Sequence, residues 1–89
     1  MIMERRRKQI IYRANHRGIK EMDIILGRFA EDRLSGLSDV QIADFEALMS
    51  EHDRDLLMWF TGEAQFPFED LQAIFDLVQA HVLDRHNHA

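Results

Sequence analysis

The 89-residue sequence contains no cysteine, one proline and four glycines. Without cysteine the chain has no disulfide, no thiolate ligand for zinc and no cysteine nucleophile. Its longest uninterrupted apolar run is Leu56–Phe60, far below the roughly 20 residues that a membrane-spanning helix needs. The basic segment Arg5–Lys8 precedes only a short apolar stretch, whereas a secretory signal needs about 7–15 apolar residues. These absences predict a cytoplasmic protein without membrane insertion, whose stability depends on packing alone.

Hydrophobic residues make up 46% of the chain and charged residues 30%, which is typical of a globular rather than a disordered protein. A chain of this length has room for one small core. No internal repeat or low-complexity stretch interrupts it. We therefore expect one domain over residues 1–89.

Charge is distributed unevenly along the chain. Residues 1–20 carry seven basic side chains and one acidic one, a net charge of +6. Residues 21–89 carry four basic and fifteen acidic side chains, a net charge of −11. Such a chain can present a basic face to an acidic partner, or the two halves can balance each other within the fold.

Apolar residues follow helical spacing, and no segment alternates long enough to predict a strand. The pattern predicts helices over about residues 3–16 and 19–32, a third beginning at Ser38, a short fourth ending at Gly62 and a fifth beginning at Pro67. Short connections favour antiparallel neighbours. The predicted fold is therefore all-α, a compact single-domain bundle of about five helices.

Local signals mark several helix ends. Ser38, followed three residues later by glutamine, forms a capping-box pattern, and Ser50 with Asp53 suggests a second cap. Pro67 suits the first turn of the last helix, and we expect residues 84–89 to fray. The clearest apolar stripes predict the core positions of the second and last helices: Met22, Ile25, Leu26, Phe29, Leu71, Ile74, Phe75, Val78 and Val82.

The sequence offers no recognisable catalytic or metal centre. The five histidines are not spaced as paired ligands on one helical face, and His86 and His88 fall in the predicted tail. Acidic pairs lie near helix ends, where they stabilise the helix dipole. No glycine-rich phosphate loop and no recognisable Ser–His–Asp grouping occurs. We expect no enzymatic activity and no metal site.

The aromatic pair Trp59 and Phe60 ends the longest apolar run. A two-layer bundle cannot bury every side of that run. These rings therefore fill the core, which is the favoured interpretation, or they contact a partner.

The segment Arg13–Asp23 combines opposite charges around a glycine. Arg17 and Glu21 are four residues apart, with the cation first, the less favourable order for a helical pair. Gly18 between them costs about 1 kcal/mol relative to alanine within a helix, but it leaves the main chain open to the approach of another molecule. Arg17 supplies a planar five-donor group, and Glu21 and Asp23 supply acceptors. Two interpretations stay open: a docking surface, or a helix junction with Gly18 as the C′ residue.

These residues also resemble a known family. Arg17-Gly18-x-x-Glu21 followed by Met22–Phe29 resembles the signature of the succinate dehydrogenase flavinylation factors, the bacterial SdhE proteins and their mitochondrial relatives. The resemblance covers roughly residues 4–65, while the last helix matches only in length and pattern. It continues in four further segments: Ile10-Ile11-Tyr12, Phe45-Glu46-x-Leu48, Asp53-x-Asp55-Leu56 and Trp59-x-x-Gly62.

The resemblance implies a five-helix domain that is not itself an enzyme. It implies binding to the FAD-carrying flavoprotein subunit of succinate dehydrogenase, or in some bacteria of fumarate reductase. Binding is expected to promote covalent attachment of FAD to a histidine of that subunit, so the FAD belongs to the partner and none is bound stably here. The family's motif positions correspond to Arg17, Gly18 and Glu21, with His16 and Asp23 flanking them as further binding residues. We expect a monomer when the protein is free.

Two other functions compete with this interpretation. Basic residues of the first helix could line a phosphate-facing side and bind nucleic acid, although the acidic remainder of the chain opposes this. A regulatory role of the antitoxin type is the other alternative. The expected phosphate-facing residues are Arg5, Arg6, Lys8, Arg13 and Arg17.

Overall fold

Five α-helices build the protein in its computed structural model, which describes residues 4–87 and the side chains of residues 4–84. The helices are α1 Glu4–Asn15, α2 Lys20–Arg33, α3 Asp39–Met49, α4 Asp53–Thr61 and α5 Gln72–Asn87. Single 3₁₀ turns at Leu34–Gly36 and Glu69–Leu71 lie between them, and residues 4–87 contain no strand. The predicted all-α single-domain bundle is confirmed.

Two of the predicted helix ends are confirmed in detail. Ser38 caps α3, with its Oγ accepting from the amide of Gln41 while the Gln41 side chain accepts from the amide of Ser38. Such reciprocal bonds satisfy two donors that would otherwise lack partners at a helix start. Gly62 ends α4 with a φ of 83°, in the left-handed region that favours glycine.

The cap predicted at Ser50 is wrong. Ser50 is the C-cap of α3, and its Oγ donates to the carbonyl of Glu46 at 3.0 Å. Because α3 still occupies this residue, α4 begins later, after His52, which forms no side-chain cap. The Asp53 carboxylate is used elsewhere, as described below.

The last helix begins five residues after Pro67, at Gln72, so the predicted start is also wrong. The chain is extended at Phe68, and extended backbone places residues two apart on one side. Phe66 and Phe68 both contact the Trp59 ring edge-on, with centroids 5.2 and 5.6 Å away. Tertiary aromatic packing therefore keeps this segment out of the helix.

The core forms where the apolar faces of all five helices meet. Trp59 and Phe60 pack against it as partly buried residues, which supports the core interpretation of that pair. Of the predicted stripe residues only Ile25 and Val82 are half-buried rather than buried. The buried large side chains include Ile10, Met22, Leu26, Phe29, Leu34, Ile42, Phe45, Leu48, Leu56, Ile74 and Val78.

Helices α1 and α2 pack closely because Gly27 lies at their contact. A Cβ atom built on Gly27 would stand 2.3 Å from Oδ1 of Asn15 and 3.3 Å from the carbonyl oxygen of Ala14. A side chain at this position would displace the Asn15 amide, which donates to the carbonyl of Ile11 at 2.9 Å. The close packing fixes the direction in which the chain leaves α1 and enters the loop before α2.

The C-terminal end is described only in part. Helix α5 continues through Asn87, and the fraying predicted over residues 84–89 stays a prediction. Residues 88–89 lie outside the described residues, and the side chains of His86 and His88 lie outside the described side chains.

Candidate functional site

The loop between α1 and α2, residues 16–19, contains the motif predicted from the sequence. Helix α1 ends at Asn15, and Ile19 precedes α2 in an extended conformation without a side-chain cap. Asp23 in the first turn of α2 accepts a hydrogen bond from the backbone amide of Arg17. An acidic side chain near a helix N-terminus is favourable, and here it also fixes the loop.

A second carboxylate also holds the loop. Asp53, at the start of α4, accepts from Nε of Arg17 at 2.8 Å and from the backbone amide of Gly18 at 2.6 Å. Nη2 of Arg17 also donates to the carbonyl of Glu51 at 3.2 Å. The side chains of Arg17 and Asp53 are only 11% and 16% exposed. We call these contacts of Arg17, Gly18 and Asp53 the Asp53 clamp.

The Asp53 clamp corrects one expectation about Arg17. From the sequence, its guanidinium was expected to reach outward and grip a partner. Instead it is turned toward α4, where the Asp53 carboxylate and the carbonyl of Glu51 in the preceding loop supply acceptors. Charge-assisted bonds of this kind are stronger than neutral ones, so Arg17 braces the loop.

Three of the predicted site residues face solvent: His16, Gly18 and Glu21. The Glu21 side chain makes no hydrogen bond or ion pair with any described residue, so its carboxylate is available to a partner. Arg17 does not pair with Glu21, in keeping with the unfavourable order of the two charges, because its guanidinium binds Asp53. Gly18 is exposed on one side, while on the other a Cβ would meet Oδ2 of Asp53 at 3.2 Å.

Gly18 is not a left-handed helix terminus. Among residues 4–87 only Gly62 has a positive φ, and α1 ends three residues before Gly18. The interpretation of Gly18 as a C′ residue is therefore wrong. Its bare main chain instead forms the exposed tip of a loop that two carboxylates hold in place.

Sequence reasoning missed Asp53 as a site residue. It lies 35 residues after Gly18, and its position near a helix start suggested only a cap with Ser50 or an interaction with the helix dipole. The available signal was its place in the family pattern as Asp53-x-Asp55-Leu56. Its role in the site follows from the tertiary contact between the first loop and α4.

Two further properties bear on the chemistry of the described residues. Within residues 4–84, no group of three or more histidine, aspartate or glutamate side chains is placed to hold a metal ion. None of the helices in the described part of the chain combines the length and apolar character needed to cross a bilayer. The cytoplasmic location expected from the sequence stays a prediction.

Comparison with known proteins decides the family. A protein-family model described as "Flavinator of succinate dehydrogenase" matches residues 8–82, which include the whole loop, the Asp53 clamp and most of α5. The chain belongs to this family. The match extends past residue 65, so the last helix is part of the family's sequence pattern as well.

Curated relatives in the family carry assembly-factor names. "Succinate dehydrogenase assembly factor 2, mitochondrial" of Dictyostelium discoideum is 33% identical over 79 residues, covering 89% of this chain and 56% of that protein. The protein of the same name from Schizosaccharomyces japonicus is 39% identical over 61 residues, 68% of this chain and 43% of that protein. "FAD assembly factor SdhE" of Acetobacter pasteurianus is 34% identical over 64 residues, 72% of this chain and 59% of that protein. The chain thus spans about half the length of the relatives it matches.

Proposed function

We propose that this protein binds the flavoprotein subunit of succinate dehydrogenase and promotes covalent attachment of FAD to that subunit. The chain acts as a binding protein and not as a catalyst, and the FAD belongs to the flavoprotein. Free in solution the chain is a monomer. The flavoprotein subunit of fumarate reductase, which also takes up FAD covalently, is a second partner of the same kind.

The observation that carries the proposal is the exposed Gly18 loop, held from inside by Asp23 and Asp53. A loop whose amides and guanidinium are already bound has little conformational freedom left to lose on binding. Its outer side offers main chain at Gly18 and an unpaired carboxylate at Glu21. This combination suits a surface that presses against another protein.

Such a surface acts on the partner by favouring one of its arrangements. A factor that binds the flavinylation-competent arrangement more tightly than others by about 3 kcal/mol raises its relative population more than a hundredfold. The bond-forming chemistry then remains with the flavoprotein and its own FAD. Because the factor has to dissociate afterwards, we expect a modest interface, about 1,200–1,600 Å² in total.

The test is covalent flavin formation in the purified apo-flavoprotein subunit. The subunit is incubated with FAD, with and without this protein, then denatured, separated by electrophoresis and examined for flavin fluorescence. We expect fluorescence on the denatured subunit to increase severalfold when the protein is present. Equal fluorescence in both samples contradicts the proposed function.

The nucleic-acid alternative is weakened by the placement of its basic residues. Of the five side chains expected to face phosphates, Arg6 is paired with Glu46 and Arg17 with Asp53. Three of the five cations remain, and residues 21–89 carry a net charge of −11. We expect no retention on DNA or RNA at physiological salt, and a pull-down that returns a flavoprotein argues equally against the antitoxin-type role.

A further inference from the structure

The outer surface beside α1 contains a depression of about 480 Å³ that is separate from the Gly18 loop. Tyr12 lies in it with 63% of its surface exposed, and tyrosine is one of the residue types enriched at protein interfaces. We call this depression the α1 patch. Its lining residues are Lys8, Gln9, Tyr12 and Arg13 of α1 and Glu46 of α3.

The Tyr12 ring is supported by the side chain one turn later. The His16 ring stacks on it with centroids 3.8 Å apart and an interplanar angle of 16°. Nδ1–H of His16 donates to the carbonyl of Tyr12 at 2.7 Å, which fixes the position of the imidazole. An aromatic side chain that is already fixed loses little entropy on binding, as is common for residues that dominate interface energetics.

The charge of the α1 patch is positive. Its one acidic residue, Glu46, is bound by Arg6 through both Nε and Nη2, and this hydrogen bonding raises the pKa of Arg6. The side chains of Lys8 and Arg13 form no hydrogen bond or ion pair with any described residue. Two unpaired cations therefore flank an exposed ring.

The size of this positive area restricts what can bind there. Residues 21–89 carry a net charge of −11 and repel an extended polyanion such as duplex DNA. A short acidic segment of a protein meets only the cations of the α1 patch. The charge pattern thus favours an acidic peptide segment over nucleic acid.

We infer that the α1 patch receives an acidic segment of the flavoprotein subunit, beside the surface bound by the Gly18 loop. Carboxylates of that segment pair with Lys8 and Arg13, and an apolar part of it packs on Tyr12. His16 belongs to both surfaces, because it stacks on Tyr12 and begins the loop before Gly18. This inference rests on the proposed function and adds a second contact region to it.

Charge reversal tests the electrostatic part. The double variant Lys8→Glu/Arg13→Glu is compared with the control Arg28→Glu/Arg33→Glu, which changes the net charge by the same amount. The control is also matched in position, because Arg33 lies in the last turn of α2 and Arg13 in the last turn of α1. Association with the immobilised, purified flavoprotein subunit is measured at several salt concentrations, after circular dichroism has verified helicity. We expect about tenfold slower association at low salt and a flattened salt dependence for the patch variant only.

Removal of the ring tests the packing part. We expect Tyr12→Ala to dissociate from the flavoprotein at least about fivefold faster, since truncation of an aromatic anchor mainly affects the dissociation rate. Val40→Ala is the control, because Val40 is also exposed but lies outside the α1 patch. Equal dissociation rates for the two variants overturn the role of Tyr12.

Other outcomes overturn the inference as a whole. Association rates of the two charge-reversal variants that agree within twofold contradict it. A second contradicting result is that both double variants bind the flavoprotein equally, while Lys8 and Arg13 of the wild-type chain mediate self-association. Retention on duplex DNA through Lys8 and Arg13, again with equal flavoprotein binding by both double variants, contradicts it as well. If patch variants behave as controls but Gly18→Arg still abolishes flavinylation, only this inference fails. If the wild-type chain does not bind the flavoprotein, the proposed function fails with it.

Discussion

Removal of the Asp53 carboxylate tests how the loop is held. Asp53→Ala deletes the acceptor for both Nε of Arg17 and the amide of Gly18. A hydrogen bond to a charged group contributes about 1.5–3 kcal/mol, but water reaches this partly exposed site and the two bonds are not additive. We therefore expect a loss of about 2–3 kcal/mol in the free energy of unfolding. For a domain of this size that lowers Tm by about 10–20 °C.

The assay is thermal and urea unfolding followed by circular dichroism, with Asp55→Ala as the matched control. Asp55 lies in the same first turn of α4, is exposed and forms no bond with a described residue, so its loss removes only a dipole interaction of about 0.3–1 kcal/mol. A double-mutant cycle with Arg17→Ala then isolates the pair, with an expected coupling of about 1–3 kcal/mol. Equal destabilisation by the two aspartate variants, or a coupling near zero, refutes the Asp53 clamp.

Three further predictions follow from single contacts. Glu21→Ala weakens binding to the flavoprotein, measured by titration calorimetry, and leaves Tm within about 2 °C because the carboxylate has no internal partner. Comparable losses of binding affinity and thermal stability would favour a structural role for Glu21. Gly27→Ala lowers the free energy of unfolding by about 0.5–2 kcal/mol in urea denaturation, since displacement of Asn15 by the new Cβ outweighs the gain of about 1 kcal/mol in helix propensity. Gly36→Ala, with open space around the Cβ, is neutral within about 0.5 kcal/mol. Ser38→Ala costs about 1 kcal/mol in the same assay through loss of the capping box, and an unchanged urea midpoint would contradict this.

The features predicted correctly from the sequence depend on residues close together in the chain. The capping box needs only Ser38 and Gln41, and the end of α4 needs only Gly62. Apolar spacing identified all five helices, because the face that a helix buries follows from its own period.

The features that sequence reasoning missed depend on distant partners. Arg17 turns inward because Asp53, 36 residues later, is brought beside it by the packing of α4. The segment after Pro67 stays extended because two phenylalanines contact Trp59 from it. Neither the inward orientation of Arg17 nor the extended backbone after Pro67 follows from residue spacing within its own segment. Tertiary contacts therefore override the local sequence signal at both places.

The five predicted site residues fall into two groups that only the structure separates. Arg17 and Asp23 hold the loop from inside, while His16, Gly18 and Glu21 lie on its outer side. The sequence motif locates the site, and the tertiary contacts show which of its residues hold the loop and which face outward. Substitutions in the first group are expected to change stability and function together, and those in the second mainly function.

The most direct measurement compares Gly18→Arg with Gly36→Arg in the covalent flavin assay. Both glycines are exposed and neither has a positive φ, but only Gly18 lies on the loop that the Asp53 clamp holds. With helicity verified for both variants, we expect Gly36→Arg to support the same flavin fluorescence as the wild-type chain. Gly18→Arg should leave the flavoprotein at the level reached without any factor. Full covalent flavin content with Gly18→Arg would contradict the assignment of this loop as the docking surface.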